Sequence, residues 1–228
     1  MKTALVVAAH PDDEVLGCGG TMARMASEGW AVHILILAEG ATSRDPARDA
    51  AGRSDELSEL KHCAREAADA VGAASLALAD FPDNRMDSVD LLDVVKRIEE
   101  DIARHRPSRI LTHCAHDVNI DHRVAHDAVI AAARSKPGGC VRELLFFEIL
   151  SSTEWRPPSS LPPFAPTYYC DISEHIAAKL AALAAYGPEL LDFPHPRSLR
   201  AVEHLAGYRG CTVGVAAAEA FEVGRIIV

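Results

Sequence analysis

The stretch A-A-H-P-D-D-E, residues 8–14, closes the first apolar run of the chain. Leu5, Val6 and Val7 ahead of it read as a short buried strand, and Gly17, Gly19 and Gly20 follow soon after. A strand that stops in one histidine, two aspartates and a glutamate sets metal-competent groups at a carboxyl end. That is the edge where open α/β sheets build their sites. Imidazole and carboxylate together suit a borderline ion such as zinc. Three adjacent carboxylates repel one another, and a bound cation would relieve the repulsion.

Outward from this stretch, strand-like runs alternate with helical patterns, which predicts βαβ units and a mainly parallel sheet. After the strand at 4–9, a helix over about 14–28 ends at Gly29. Residues 31–37 make a second strand. Leu57, Leu60, Ala64, Ala67, Ala68 and Val71 then recur at helical spacing up to Gly72. A weak strand at 74–79 precedes a helix that Ser88 can cap, with Leu91, Leu92, Val95, Ile98 and Ile102 as its buried stripe. Ser108–His113 form the next strand, and Asn119 or Asp121 can cap a helix running to about Arg134. Residues 143–149 and Thr167–Ile172 read as strands around a Pro-rich loop at 156–166. Ser173 can cap a helix through Tyr186, and a last helix falls near Ser198–Tyr208.

The expected fold is a single α/β domain over 1–228, a Rossmann-like three-layer αβα sandwich. A hydrophobic content of 49% and a charged content of 25% suit an ordinary globular chain. The net charge of −10 argues against nucleic acid as a partner. The apolar run that ends at His10 is too short for a secretion signal, and no stretch is long enough to span a bilayer. A cytoplasmic location is therefore expected. Six scattered cysteines, with no C-x-x-C pair, give neither a zinc ribbon nor a disulfide framework.

A second cluster, T-H-C-A-H-D-V-N-I-D-H-R-V-A-H at 112–126, also follows a strand and opens a helix. It should lie on the same sheet edge as residues 10–14. His10, Asp13 and His122 would make a facial set that leaves positions open for water and substrate. Asp12, adjacent and free of the metal, is placed as general base. His122 with His126, an i, i+4 pair, is a competing choice, although no H-E-x-x-H pattern exists here. The glycines of G-C-G-G (17–20) lack dinucleotide-loop spacing, and close packing of the helix beneath the acidic loop accounts for them better.

A-H-P-D-D-E-x-x-G-x-G-G resembles the opening motif of the LmbE-like, PIG-L family of zinc-dependent sugar-amide hydrolases. R-S-D-E-L (53–57), F-P-D-N-R (81–85), D-x-N-x-D-H (117–122) and A-E-A-F-E (218–222) extend the likeness over most of the chain. The resemblance implies His10, Asp13 and His122 as ligands of one zinc ion per chain, with Asp12 as base. It also implies substrate contacts from Arg53 and Asp83. One position departs from the pattern: where many relatives carry a histidine that assists the oxyanion or leaving amine, this chain has Asn119. Asn can donate to an oxyanion but is no acid near neutral pH. Either Asp12 carries both protons, or another histidine fills the gap, His195 and His116 being the candidates.

The implied activity is hydrolysis of an N-acetyl group from an amino sugar or amino-sugar conjugate, a small-molecule substrate. The rival readings are an amidase acting on a larger thiol–sugar conjugate and a non-catalytic metal-dependent binding protein on the same fold. Retention of Asp12 beside the ligand set disfavours the second, because binding alone needs no base. Homo-oligomerisation is left open.

Overall fold

The computed structural model describes residues 2–228. Its strands are β1 (Thr3–Ala8), β2 (Ala31–Ala38), β3 (Ser75–Phe81), β4 (Arg109–His113), β5 (Glu143–Phe147), β6 (Tyr168–Asp171) and β7 (Ala218–Ile226). The helices are α1 (Asp13–Ser27), α2 (Ser54–Ala70), α3 (Leu91–His105), α4 (Ile120–Ala132), α5 (Ile176–Ala185) and α6 (Leu199–Cys211). One sheet in the order β3-β2-β1-β4-β5-β7-β6 joins all seven strands. The pairs among β1 to β5 are parallel, and β7 runs antiparallel to both β5 and β6.

The sequence of β1 builds the layers. Ala4, Val6 and Ala8 face one core with α1, α2, α5 and α6, while Leu5, Val7 and Ala9 face another with α3 and α4. Alternate residues of an extended chain point to opposite faces, so a strand apolar on both sides must be covered on both. This is the expected three-layer sandwich.

The chain winds outward from β1 through β2 to β3, then returns to place β4 and β5 on the other side of β1. The strand order thus reverses between β1 and β4. At such a switch point the loops after neighbouring strands diverge and leave a crevice at the carboxyl edge. H-P-D-D-E follows β1 and T-H-C-A-H-D follows β4, so the topology brings the two clusters together.

Three capping and packing expectations are corrected. Ser88 lies in a short 3-10 turn, Met86–Ser88, and its hydroxyl donates to the Arg85 carbonyl, while Asp90 precedes α3. Leu91 and Leu92 are 44% and 62% exposed. They occupy the first turn of α3, and the residues that join the core are Val94, Val95 and Ile98, with Ile102 packed against them. Ser173 binds the Asp171 carboxylate instead of capping α5, which begins three residues later at Ile176. By contrast Asn119 and Ser198 are true caps, their side chains accepting from the amides of Asp121 and Ala201. Strand β7 had no counterpart among the expected elements; it carries the A-E-A-F-E motif into the sheet between β5 and β6.

Helix α1 breaks at Cys18, whose φ of −150° is not helical. The break is filled from β7 and α5. Glu219 accepts from the amides of Gly20 and Thr21 at 3.0 and 2.6 Å, and Lys179 donates to the Leu16 carbonyl at 2.8 Å and to Glu219. A buried ion pair thereby satisfies the backbone groups that the break releases. Gly17 and Gly20 let other side chains pack directly on this helix: a Cβ would lie 2.4 Å from the Phe147 ring at Gly17 and 2.7 Å from Ile172 at Gly20. Close packing under the acidic loop is thus what these glycines provide.

Glu219→Ala strands the Lys179 ammonium, and chemical denaturation should show a loss of about 3–5 kcal/mol. Lys179→Met combined with Glu219→Gln should recover much of it. Equal destabilisation of the single and double variants would contradict the pairing.

Candidate active site

The loop after β1 turns tightly. The His10 amide donates to Asp13 Oδ2 at 2.9 Å, and Asp12, at φ 99°, occupies a left-handed conformation rare for a residue with a side chain. Helix α1 then starts at Asp13, with carboxylates in its first turn, where the helix dipole favours them.

His10, Asp13 and His122 converge. His10 Nδ1 and His122 Nε2 each lie 3.1 Å from Asp13 Oδ2 and 3.3 Å from each other. A second set, His10 with Asp83 and Asp121, gathers around the other ring nitrogen: Nε2 is 3.1 Å from Asp121 and 3.4 Å from Asp83.

The hydrogen bonding separates the two sets. Asp121 already accepts from the amides of Asn84 and Met86, and Asp83 from the Ser43 amide and the Asn84 side chain. In the first set Asp13 Oδ1 is buried without a partner. An orphaned carboxylate oxygen beside two imidazole nitrogens is a cavity for a cation, so His10, Asp13 and His122 fit a metal ion. Asp121 and Asp83 then fall behind His10, and Asp117, 3.2 Å from His122 Nδ1, falls behind His122. Carboxylates so placed fix the ring orientation and tautomer of ligating histidines.

The electrostatics point the same way. Burial alone would discharge His10 and His122, yet hydrogen bonds from Asp121 and Asp13 carry His10 well above its ordinary value. Asp13 and Asp117 lift His122 to about 9. Asp13 is held well below the carboxylate range by His122 and His10, although its burial works against this. The cluster thus favours positive charge beside Asp13, and a metal bound there would compete with protons for the same nitrogens.

Asp12 differs. Its side chain is buried, Arg197 Nη1 stands 3.3 Å from Oδ2, and Oδ1 has no partner. Burial pushes the carboxyl up to about 7, against the pull of Arg197. Glu14 is pushed up to about 8 by burial, accepting from the Tyr186 hydroxyl at 2.6 Å and from the Asp12 amide at 3.2 Å.

His10, Asp12, Asp83 and Asn119 line a cleft of about 170 Å³, together with Arg44, Glu189 and Arg197. Asn119 Oδ1 serves as the helix cap and Nδ2 donates to Asn84 at 2.8 Å. Four of the residues singled out from sequence lie elsewhere. Arg53 is engaged by Asp45 and Glu56, and it is Arg44, also bound to Glu56, that reaches the cleft. His195 turns its edge to Trp155 and accepts the Arg197 amide at 3.1 Å. His116 is half-buried in the β4–α4 loop, outside the cleft. His126 binds the His113 carbonyl through Nδ1 at 2.9 Å and packs on Phe146, and it joins neither of the two metal-competent groups.

Sequence reasoning passed over Asp117, Asp121, His113 and Arg197. The first two stand within D-x-N-x-D-H, where alternate acids flanking the ligand His122 were the available signal. His113 accepts the Ala9 amide at 2.8 Å and stacks on His122 with ring centroids 4.0 Å apart, packing that only the fold reveals. Arg197 is remote in sequence from both clusters.

Residues 5–133, more than half of the chain, match the family described as PIG-L: GlcNAc-PI de-N-acetylase. The chain belongs to the PIG-L family. The matched span includes all three candidate ligands and Asp12. A 1D-myo-inositol 2-acetamido-2-deoxy-alpha-D-glucopyranoside deacetylase of Saccharopolyspora erythraea is 30% identical over 236 residues, covering 82% of this chain and 77% of the relative. The uncharacterized deacetylase YaiS of Escherichia coli is 28% identical over 188 residues, 80% of this chain and 89% of its own. Among solved structures, the 4-carboxy-2-hydroxymuconate hydratase GalB of Pseudomonas putida matches with a TM-score of 0.80 at 25% identity. It covers 100% of this chain and 98% of its own. No helix among the described residues is long and apolar enough to cross a membrane.

Asp117→Asn should lower metal affinity about 10–100-fold, read by competition with a chelating dye, with little change in secondary structure. Unchanged affinity would show that Asp117 does not orient His122. The buried Glu14 gives a pH signature. Its folded value lies above the unfolded one, so its stabilisation is full below about 4.5 and is lost as pH rises through about 8. Glu14→Gln should flatten this fall in thermal stability in the metal-free protein, and a wild-type slope in the variant would refute the assignment.

Proposed function

We propose that the protein is a metal-dependent hydrolase that removes an N-acetyl group from an amino sugar or amino-sugar conjugate. The observation that carries this reading is a buried carboxylate with one unpartnered oxygen, Asp12 Oδ1, next to the His10–Asp13–His122 set. A binding protein has no use for such a group, whereas a general base must keep an oxygen free.

His10, Asp13 and His122 would hold the ion, which we take to be one zinc per chain. When bound, it supplies Lewis acidity toward the amide carbonyl and acidifies water. Asp12 takes the water proton at Oδ1, its burial setting its basicity near neutrality. Asn119 lines the cleft and keeps one Nδ2 hydrogen beyond the bond to Asn84. It is suited to the oxygen on which charge grows in the transition state. His195 stands apart from the cleft, which favours Asp12 as carrier of both protons, the second passing to the leaving amine. Asp83 and Arg44 border the space for the sugar. Arg53 acts on substrate through Arg44 and Glu56, not by contact.

The likeness to GalB supports a second reading, addition of water to an unsaturated carboxylic acid, since a base and a metal set serve that reaction too. The test measures bound metal, amine release from a panel of N-acetylated amino sugars and their conjugates, and hydration of unsaturated dicarboxylates. Amine release is the expected result; hydration without amine release would replace the proposal. Asp12→Asn should keep its metal and lose about 10²–10⁴-fold in kcat. Near wild-type turnover with full metal would remove Asp12 as base.

A further inference from the structure

Arg197 enters the cleft from the loop between α5 and α6, well beyond residues 5–133 that match the family. We propose that Arg197 is a positioning residue: it holds one oxygen of Asp12 so that the other is presented to the reacting water. This rests on the hydrolase reading above and adds to it a residue outside both sequence clusters.

Four observations carry it. Arg197 Nη1 lies 3.3 Å from Asp12 Oδ2, and Oδ1 of the same buried carboxylate has no partner. The ion pair at one oxygen makes the two carboxylate oxygens inequivalent, Oδ2 toward Arg197 and Oδ1 without a partner. Second, Arg197 is itself fixed at a distance from Asp12: Nε donates to Ser151 Oγ at 2.9 Å, and its backbone amide donates to His195 Nδ1 at 3.1 Å. Ser151, at φ 68°, sits in a left-handed turn next to Ser152, whose hydroxyl binds Asp117. The guanidinium is therefore tied to the same loop that supports His122.

Third, Asp12 sits on a backbone turn at φ 99°, a conformation that persists only where its surroundings impose it. The Asp12 amide is held by Glu14, and Arg197 is its side-chain partner. Fourth, Glu189, bound to Arg44 at 2.6 Å, lies 4.0 Å from the same Arg197 Nη1 that meets Asp12. One guanidinium nitrogen thus stands near two carboxylates, and the Arg44 contact holds the second of them in place. His195 is then the residue that shapes the turn carrying Arg197.

The test is a double-mutant cycle on the metal-loaded enzyme with Arg197→Met, Asp12→Asn and the combined variant, read twice. In the kinetic reading, Arg197→Met should lower kcat about 10–100-fold with KM nearly unchanged, the size expected for a misplaced catalytic group. In the Asp12→Asn background it should cost less than threefold, because the group it positions is gone. Arg197→Lys, which keeps the charge, should recover part of kcat. In the thermal-unfolding reading, which needs no substrate, Arg197→Met should lower Tm by several degrees alone and by less with Asp12→Asn.

Coupling in both readings supports the proposal. Coupling in Tm with additive effects on kcat overturns the positioning role and leaves the hydrolase intact, since Arg197 would then be a structural partner only. Additive effects in Tm overturn the contact itself. A raised KM at constant kcat would make Arg197 a substrate-binding group and also overturns the proposal. Failure of the wild-type enzyme to release amine, with Tm coupling present, sinks the hydrolase reading and the positioning role with it.

Discussion

One buried carboxylate oxygen, Asp13 Oδ2, holds the centre of this molecule together. It accepts from the His10 amide, faces His10 Nδ1 and His122 Nε2 at 3.1 Å each, and lies 3.6 Å from His113 Nε2. Those groups come from the loop after β1, from α4 and from β4. Desolvating so many polar groups is costly, and partners of the right kind offset much of that cost. The outer carboxylates supply that for the ring nitrogens turned away from Asp13, Asp121 for His10 and Asp117 for His122. The strand order does the rest by placing the two loops across one crevice.

The chemistry at the end of β1 was legible because it is local. A strand, a tight turn and a helix start within residues 3–16, and hydrophobic patterning sets which way each residue faces. His10, Asp13 and His122 could be paired from sequence since strand ends in a parallel sheet share an edge. The parts that escaped reading are set by contacts distant in sequence. Leu91 and Leu92 fit a helical period, but period does not say where along a helix the sheet contact begins. Strand β7 was hidden because its inward residues include Glu219, a charge that only the facing Lys179 makes acceptable in a core.

Arg53 and Arg197 show the same limit in the site. Arg53 sits in a recognisable motif, yet Asp45 and Glu56 claim its guanidinium, and Arg44 takes the position at the cleft. Arg197 sits in F-P-H-P-R-S, where the histidine draws attention as the ionisable group near neutral pH. The fold reverses their roles: the imidazole shapes a turn and the arginine meets Asp12.

The position of β7 has a consequence for how the molecule comes into being. The strand follows the other six strands in the chain, yet it lies inside the sheet, between β5 and β6, and it alone pairs β6 with the rest of the sheet. While residues 218–226 are missing from a growing chain, β5 has an open edge and β6 has no neighbour. The two halves of α1 then lack the carboxylate that joins them at Cys18. Unpaired edges of this kind invite association with other chains. Long-range pairings also form slowly, because a large loop must close first. A ribosome-bound intermediate would thus display most of the metal-binding residues before it has the scaffold to hold them still.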